Sequence, residues 1–255
     1  MNIANESELD EFLKQYPETK MIEILMPDMN GIIRCKRIPS NEFSTFFRNG
    51  VKGPASTTLL NVRGEFCDEV DFANLEGDPD KLIYPIANTL APITWLKSNT
   101  AQVLATFTEL DGSPALFDSR NILIKALLPL RAMHLNPIVA TELEFYLIKN
   151  GDGVLPEPFL AKIPGTNVDQ SGTQYAMPED LWDNDQFLED VRIACEAQHV
   201  PMTTVHSEFS PGQFEINLHH VDDPVTACDH AILLKRAVKG VERQHGMAAT
   251  FMAKP

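Results

Sequence analysis

Glu142 and Glu144 stand two positions apart in Pro137–Lys149, PIVATELEFYLIK, a stretch that alternates as a β-strand does. Ile138, Ala140, Glu142, Glu144 and Tyr146 share one face. Val139, Thr141, Leu143, Phe145 and Leu147 share the other, which is almost wholly apolar and must pack on a core. At a rise of roughly 3.3 Å per residue, the Cβ atoms of the two acids lie about 6–7 Å apart. Two bare carboxylates at that spacing either point into water or are met by positive charge, since ionised acids are rarely buried without a partner. No Lys or Arg precedes Lys149 in the stretch, so a divalent cation is the economical counter-charge.

A second acidic stretch tips the choice toward a cation. Pro201 to His220 contains MTTVHSEFSPGQFEINLHH, which Ser210-Pro211-Gly212 breaks into two strands. In the second, Gln213, Glu215, Asn217 and His219 share a face opposite Phe214, Ile216 and Leu218. In the first, His206 and Glu208 lie on one side. Glu142, Glu144, Glu208 and Glu215 thus come from two strand pairs and make an oxygen-rich set. That ligand type suits magnesium or manganese rather than zinc, and such sites commonly hold nucleotide phosphates. His206 reads as a hydrogen-bond donor that orients Glu208. His219-His220 reads more readily as strand-edge polarity than as a site.

The elements that must position these groups follow from the flanking sequence. Residues 7–16 form a short helix with Ser7 as cap. Lys20 to Ile38 is a hairpin whose turn, Asp28-Met29-Asn30-Gly31, takes its positive φ angles from Asn30-Gly31. A helix opens at Pro39-Ser40 and closes at Gly50. Its Phe43, Phe46 and Phe47 are core or subunit contact, and Lys36 and Arg37 a solvated strand edge. Val51 to Ala91 is irregular, and Thr100 to Leu110 is a strand. Asp118 or Ser119 caps a helix to about His134, with Ile122, Leu123, Ala126, Leu127 and Leu130 on its buried side and a kink or early end at Pro129. Gly151 to Pro178 is loop-rich; Asp183 or Asn184 caps a helix to about His199; Pro224 opens a long helix that Gly246 ends; and AATFMAKP is a last strand.

The expected fold class is α+β, with a small N-terminal domain over residues 1–112 and a second over 113–255. The formal net charge of −15 speaks against nucleic acid and membrane as partners. No run is apolar enough to span a bilayer, and the N-terminus lacks the pattern of a secretory signal. Cys35, Cys67, Cys195 and Cys228 are scattered, which suits reduced thiols in the cytoplasm, with Cys195 and Cys228 as small core residues.

These residues together resemble the glutamine synthetase superfamily. The resemblance is carried by Glu142-Leu143-Glu144-Phe145-Tyr146, by His206-Ser207-Glu208 with Ser210 to Asn217, and by Gln244-His245-Gly246 with Thr250 to Pro255. Within the family, ATELEFYLI, SPGQFEINLHH and ATFMAKP are most similar to the γ-glutamylpolyamine (γ-glutamylputrescine) synthetase branch. The resemblance implies a β-grasp-like N-terminal domain and the first part of a curved antiparallel-sheet catalytic domain. It implies that Glu144, Glu208 and Glu215 hold one ion, Mg2+ or Mn2+, and that Glu142 helps hold a second beside ATP. Asn217, His219 and His220 would lie near the nucleotide. The implied reaction joins the γ-carboxylate of glutamate to an amine through γ-glutamyl phosphate, with the active sites shared between subunits of a ring-shaped homo-oligomer.

Two departures modify that expectation. The family's ammonium-binding aspartate belongs to an Asp-Gly-Ser-Ser loop; here the matching segment reads Gly53-Pro54-Ala55-Ser56-Thr57-Thr58, which favours a polyamine such as putrescine over ammonia. The sequence stops at Lys254-Pro255, where the family continues into Asn-Gly-Ser-Gly-Met-His and the phosphate-clamping arginines. A chain of this extent is expected to be inactive alone. Two other classes therefore stand beside the ligase: a truncated, catalytically inactive homologue acting as regulator or assembly partner, and a two-metal phosphatase.

Overall fold

The computed structural model describes residues 2–66, 77–149, 151, 157–170, 172 and 175–255; Cys67 and part of each irregular segment lie outside them. The chain divides into two compact units, Met1–Asn136 and Pro137–Pro255.

The first unit opens with α1 (Glu6–Gln15). Its cap is Asn5, two residues before the expected Ser7: the Asn5 Oδ1 accepts from the backbone N of Ser7 at 2.9 Å and of Glu8 at 3.2 Å. Strands β1 (Met21–Pro27) and β2 (Ile33–Pro39) form the expected hairpin. Of the turn residues only Gly31 takes a positive φ, +70°. Asn30 needs none, because Asp28 Oδ1 accepts from both Asn30 N and Ile32 N at 2.9 Å and closes the loop itself. Helix α2 (Phe43–Asn49) ends at Gly50, and Phe43, Phe46 and Phe47 are all buried.

The stretch 51–91 is more regular than its composition suggests. It contributes β3 (Val51–Pro54), β4 (Asp80–Pro85) and β5 (Ala91–Pro92), which pair around β6 (Thr100–Thr108). The sheet order is β2-β1-β6-β4-β3, with β5 also on β6; β1 and β6 run parallel and the other pairs antiparallel. A hairpin with its first strand beside a late parallel strand, crossed by helices, is β-grasp-like. Strand β6 is buried along its whole length, and Ile22, Ile24, Phe46, Ile83, Val103 and Phe107 pack into the core beside it.

Helix α3 (Ser119–Ala132) stays with this unit rather than starting the second, so by compactness the chain divides after Asn136 and not at the expected 112/113. The tie is Asp118. One carboxylate oxygen caps α3 by accepting from Arg120 N at 2.8 Å and Asn121 N at 3.2 Å; the other accepts from Phe107 N at 2.7 Å and Thr106 Oγ1 at 2.8 Å on β6. Asn121 returns two bonds, to the carbonyls of Phe107 and Ala115 at 2.9 and 3.1 Å. The expected apolar stripe is only partly covered: Leu127 is buried, whereas Ile122 and Ala126 are exposed. Spacing states which residues share a stripe, not what covers it. Pro129 does not end the helix, which runs three residues further.

The second unit is a sheet of order β10-β7-β9-β8, antiparallel throughout, from β7 (Glu142–Lys149), β8 (Met202–Ser207), β9 (Gln213–Leu218) and β10 (Met247–Thr250). Regular pairing of β7 begins at Glu142, five residues after the expected start, with only an isolated bridge from Val139 to Val221 before it. Helices α4 (Pro178–Asp183), α5 (Asp185–Ala197) and α6 (Pro224–Val241) complete the unit; the short α4 lies in what the sequence gives as the end of a loop and a cap. Helix α5 packs on β8 and α6, and α6 on β10. The apolar faces of the strands meet these helices: Phe145 and Leu147, Phe214 and Ile216 are all buried. The Phe145 ring touches those of Phe187, Phe214 and Phe251 at 6.3, 6.1 and 5.7 Å between centroids. Cys195 is buried, which pushes its thiol up to about 12, but Cys228 is exposed on α6 and is not the core residue expected.

The turn between β8 and β9 is built around Gly212. Its carbonyl accepts from Leu147 N at 2.8 Å, Gln213 N donates to Ser210 O at 3.0 Å, and Glu208 N donates to Gln213 O at 2.8 Å. Gly212 has φ +73°, and a Cβ there would lie 2.9 Å from Leu147 O and 3.2 Å from Phe159 O, both backbone atoms.

Two outcomes follow. Gly212→Ala combines a disfavoured φ with a backbone clash, and should cost about 2–3 kcal/mol, read as a fall of several degrees in Tm. Asp118→Ala removes a cap and leaves buried donors of β6 unpaired; a loss of about 2–4 kcal/mol in urea unfolding is expected, and a loss under about 1 kcal/mol would refute the tie described here.

Candidate functional site

The polar face of the second sheet is the reverse of the Phe145 face. Because side chains alternate, every residue flanking Phe145, Phe214 or Ile216 turns away from the helices. Antiparallel register sets Glu144 opposite Glu215 and Glu142 opposite Asn217; on the other side of β9, His206 stands opposite Glu215. A row Glu144–Glu215–His206 therefore crosses three strands, with Glu142–Asn217 as the next row along. Directly opposed residues sit about 4.5–5.5 Å apart at Cβ, near enough for their head groups to share one ligand.

The head groups then settle into two sets. His206 Nε2 lies 3.0 Å from Glu208 Oε1 and 3.9 Å from Glu215 Oε1. One ligand atom from each of His206, Glu208 and Glu215 falls within 4.8 Å of the others, the geometry of a cation site. These side chains are 21%, 13% and 13% exposed, open enough for exchange and enclosed enough for the carboxylates to feel one another. Glu208 leaves the strand at the end of β8 and is aimed by the turn, with Phe209 N donating to its Oε2 at 3.2 Å. Asn217 Nδ2 donates to Glu215 Oε1 at 2.7 Å, and Thr204 Oγ1 donates to Asn217 Oδ1.

Glu144, expected in the same set as Glu208 and Glu215, is engaged by an amide: Gln213 Nε2 donates to its Oε2 at 2.6 Å. Glu142 is exposed at the start of β7, and His219 and His220 are exposed just past β9. Asn217 is brought to the site through Glu215, whereas among the described residues neither histidine is hydrogen-bonded to that cluster. Sequence reading gives His206 the role of orienting Glu208, and the contact is present, but the imidazole also reaches Glu215. Alternation sets Gln213 on the acid face without giving it a role, and Tyr175 carries no signal of its own in the sequence. Tyr175 comes from a loop: its OH lies 3.3 Å from His206 Nε2, and its ring stacks on Phe209 at 4.7 Å with 17° between planes.

The donor set fits a divalent cation. Among the described residues no Lys or Arg ion pair reaches Glu208 or Glu215, and two carboxylates with one imidazole are ligands that manganese and magnesium-type sites accept, the nitrogen tilting the set toward manganese.

Comparison with known proteins identifies the family to which these strands belong. The sequence profile of the glutamine synthetase catalytic domain matches residues 116–255. Gamma-glutamylputrescine synthetase PuuA of Escherichia coli (strain K12) is 35% identical over 251 residues, covering 97% of this chain and 52% of that protein. Glutamate–isopropylamine ligase of a Pseudomonas species is 30% identical over 232 residues, 89% of this chain and 49% of the relative. A solved GmaS/ADP complex superposes with a TM-score of 0.76 at 21% identity over 97% of this chain and 52% of its own, which is a likeness of fold. The chain spans about half the length of the curated relatives it matches. With the catalytic-domain profile covering more than half of its residues, and with the acidic strands of that domain folded as described, this chain belongs to the glutamine synthetase family.

Proposed function

We propose that the protein is an ATP-dependent ligase that joins the γ-carboxylate of glutamate to an amine, working in the cytoplasm as a homo-oligomer. The observation that carries the reading is the convergence of Glu208, Glu215 and His206 within 4.8 Å on the open face of a sheet, in a chain of this family. Glu208 and Glu215 would hold one divalent ion, with Glu144 or His206 completing it, and Glu142 would help hold a second. Asn217, His219 and His220 are assigned to the nucleotide side. The family's domain border is assigned to 112/113, close to the start of the profile match at 116.

A divalent cation, when bound, supplies charge that lets two anions, a carboxylate and a triphosphate, approach and line up. The chain's own residues do the positioning. Glu208 and Glu215 are fixed by the turn and by Asn217 before any substrate arrives, so no reorganisation is needed at the moment of reaction. An oxygen of the substrate γ-carboxylate attacks the terminal phosphorus of ATP, the bond to the ADP oxygen breaks, and an acyl phosphate forms. The amine nitrogen then attacks the acyl carbon, phosphate leaves, a proton leaves the nitrogen, and an amide remains.

The acceptor is assigned as a carbon-bearing amine. Tyr175 stacked on Phe209 beside Glu208 offers an alkyl chain an apolar surface that ammonia cannot use. The segment Gly53–Thr58 carries no acid of its own, and the carboxylate that meets it, Asp78, is engaged by the Ser56 N–H and hydroxyl. The names of the two relatives, one for putrescine and one for isopropylamine, support the same class.

The test is phosphate release by the protein carrying this sequence, supplied with ATP, glutamate, Mg2+ or Mn2+ and either putrescine, isopropylamine or ammonia. The alkylamines should give the higher kcat/KM. Glu215→Gln should lower kcat at least roughly 100-fold, the scale of losing about 3 kcal/mol of charge stabilisation. Ammonia as the better acceptor would overturn the amine assignment, and hydrolysis of phosphate esters without glutamate would replace the ligase by a phosphatase.

A further inference from the structure

Among the described residues, Gln213 is the side chain that hydrogen-bonds from the second acidic segment to a glutamate of the first. It is buried, at 7% exposure, on the same face as Glu215. All four of its polar groups are committed. Its backbone N donates to Ser210 O at 3.0 Å and its backbone O accepts from Glu208 N at 2.8 Å. In the side chain, Oε1 accepts from Ser210 N at 3.2 Å and Nε2 donates to Glu144 Oε2 at 2.6 Å. The orientation of the amide is dictated: a backbone N–H can only donate to it and a carboxylate can only accept from it.

The length of the side chain is also dictated. In register Gln213 stands opposite Tyr146, and Glu144 stands opposite Glu215, so the Gln213–Glu144 contact is a diagonal one. Diagonal neighbours are about 7–8 Å apart, within reach of two long side chains but not of a shorter amide. An Asn would fall short by a methylene. A Glu would set a third carboxylate against Glu144. A Met would fill the space and donate nothing.

What the contact does follows from the exposure of Glu144. A glutamate on an open sheet face has much rotamer freedom to lose when it is fixed. The short, charge-assisted bond from Gln213 holds one oxygen and leaves the other to bind. The turn from which Glu208 projects fixes the Gln213 amide in place, through Ser210 N. We propose that Gln213 is a positioning residue, which orients Glu144 toward the cation bound by Glu208 and Glu215 and links that orientation to the β8–β9 turn. This rests on the cation-site reading given above.

Mn2+ binding to the protein without nucleotide, followed by electron paramagnetic resonance, tests it. Gln213→Met should raise the Kd for Mn2+ about 10–100-fold, the usual effect of removing a group that orients a metal ligand. The decisive arm is a double-mutant cycle with Glu144→Gln. If Gln213 acts through Glu144, adding Gln213→Met to Glu144→Gln changes the Kd by less than about 2-fold; losses that multiply would show a general structural effect and overturn the proposal. Gln213→Asn keeps the amide but loses the reach, so it should match Met; near-UV circular dichroism checks folding, and Asn carries the test if Met unfolds. Glu208→Gln separates the two failures. If it binds Mn2+ as the unaltered protein does, the cation site is wrong and the proposal falls with it. If it loses binding while Gln213→Met does not, the positioning role alone falls.

Discussion

The second unit has to hold two carboxylates where they repel. Ligand atoms of Glu208 and Glu215 lie within 4.8 Å of each other and of His206, a separation at which two unit charges repel by about 3 kcal/mol in the effective dielectric of a protein surface. Water alone would let the side chains swing apart. The backbone prevents this by strand register on one side and a tight turn on the other. Glu215 is pinned inside β9 between β7 and β8, and Glu208 is carried by a turn whose peptide groups bond to Ser210, Gln213 and Leu147. The stability that offsets the repulsion comes from the reverse face, where Phe145 packs among Phe187, Phe214 and Phe251. Site and core are two faces of the same strands, and neither can shift by one residue without exchanging places with the other.

That coupling explains why so much of the site was legible. Period-two alternation in ELEFYL and QFEINL assigns the acids to one face and Phe145, Leu147, Phe214 and Ile216 to the other, and the buried state of those four agrees. What the pattern could not give was register between segments distant in sequence. The meeting of His206 with Glu215 requires β8 and β9 to be in the observed register, and the Gln213–Glu144 bond is diagonal across two strands that are 64 positions apart at their nearest ends. Tyr175 reaches the site from a loop whose local sequence carries no periodicity. The misread details share a cause. Ser7, the Asn30 φ angle and the buried face of α3 each depended on which of several chemically suitable neighbours the tertiary structure selected: Asn5, Gly31 alone and the Asp118–Asn121 tie to β6.

The stretch 51–91 shows the opposite case, where composition misleads. Its Gly, Pro and Asp residues suggest a loop, yet β4 and β5 form because β6, a strand buried throughout, offers them partners, and β3 then pairs on β4. The pairing donors and acceptors of a buried strand must be met, and short neighbouring segments of poor intrinsic propensity are recruited to meet them. Likeness of fold to a solved relative at only 21% identity, with a TM-score of 0.76, has the same basis: pairing and burial constrain the backbone more tightly than they constrain residue identity.

The same contrast decides where chemistry can occur. A strand such as β6, buried on both faces, has no place for an ionised group that must meet a phosphate, and its polar residues Thr106 and Gln102 are enclosed. The β10-β7-β9-β8 sheet packs its helices against one face and leaves the other to charged and amide side chains. An antiparallel sheet tolerates that asymmetry, since each strand supplies both faces by alternation. Charges on such a face keep enough solvent to stay ionised and enough neighbours to stay ordered, as Asn217 does for Glu215 and Gln213 for Glu144. The order comes from neutral amides, which donate to a carboxylate without cancelling its charge. A lysine in either position would have fixed the acids equally well and removed the negative field that draws a cation in.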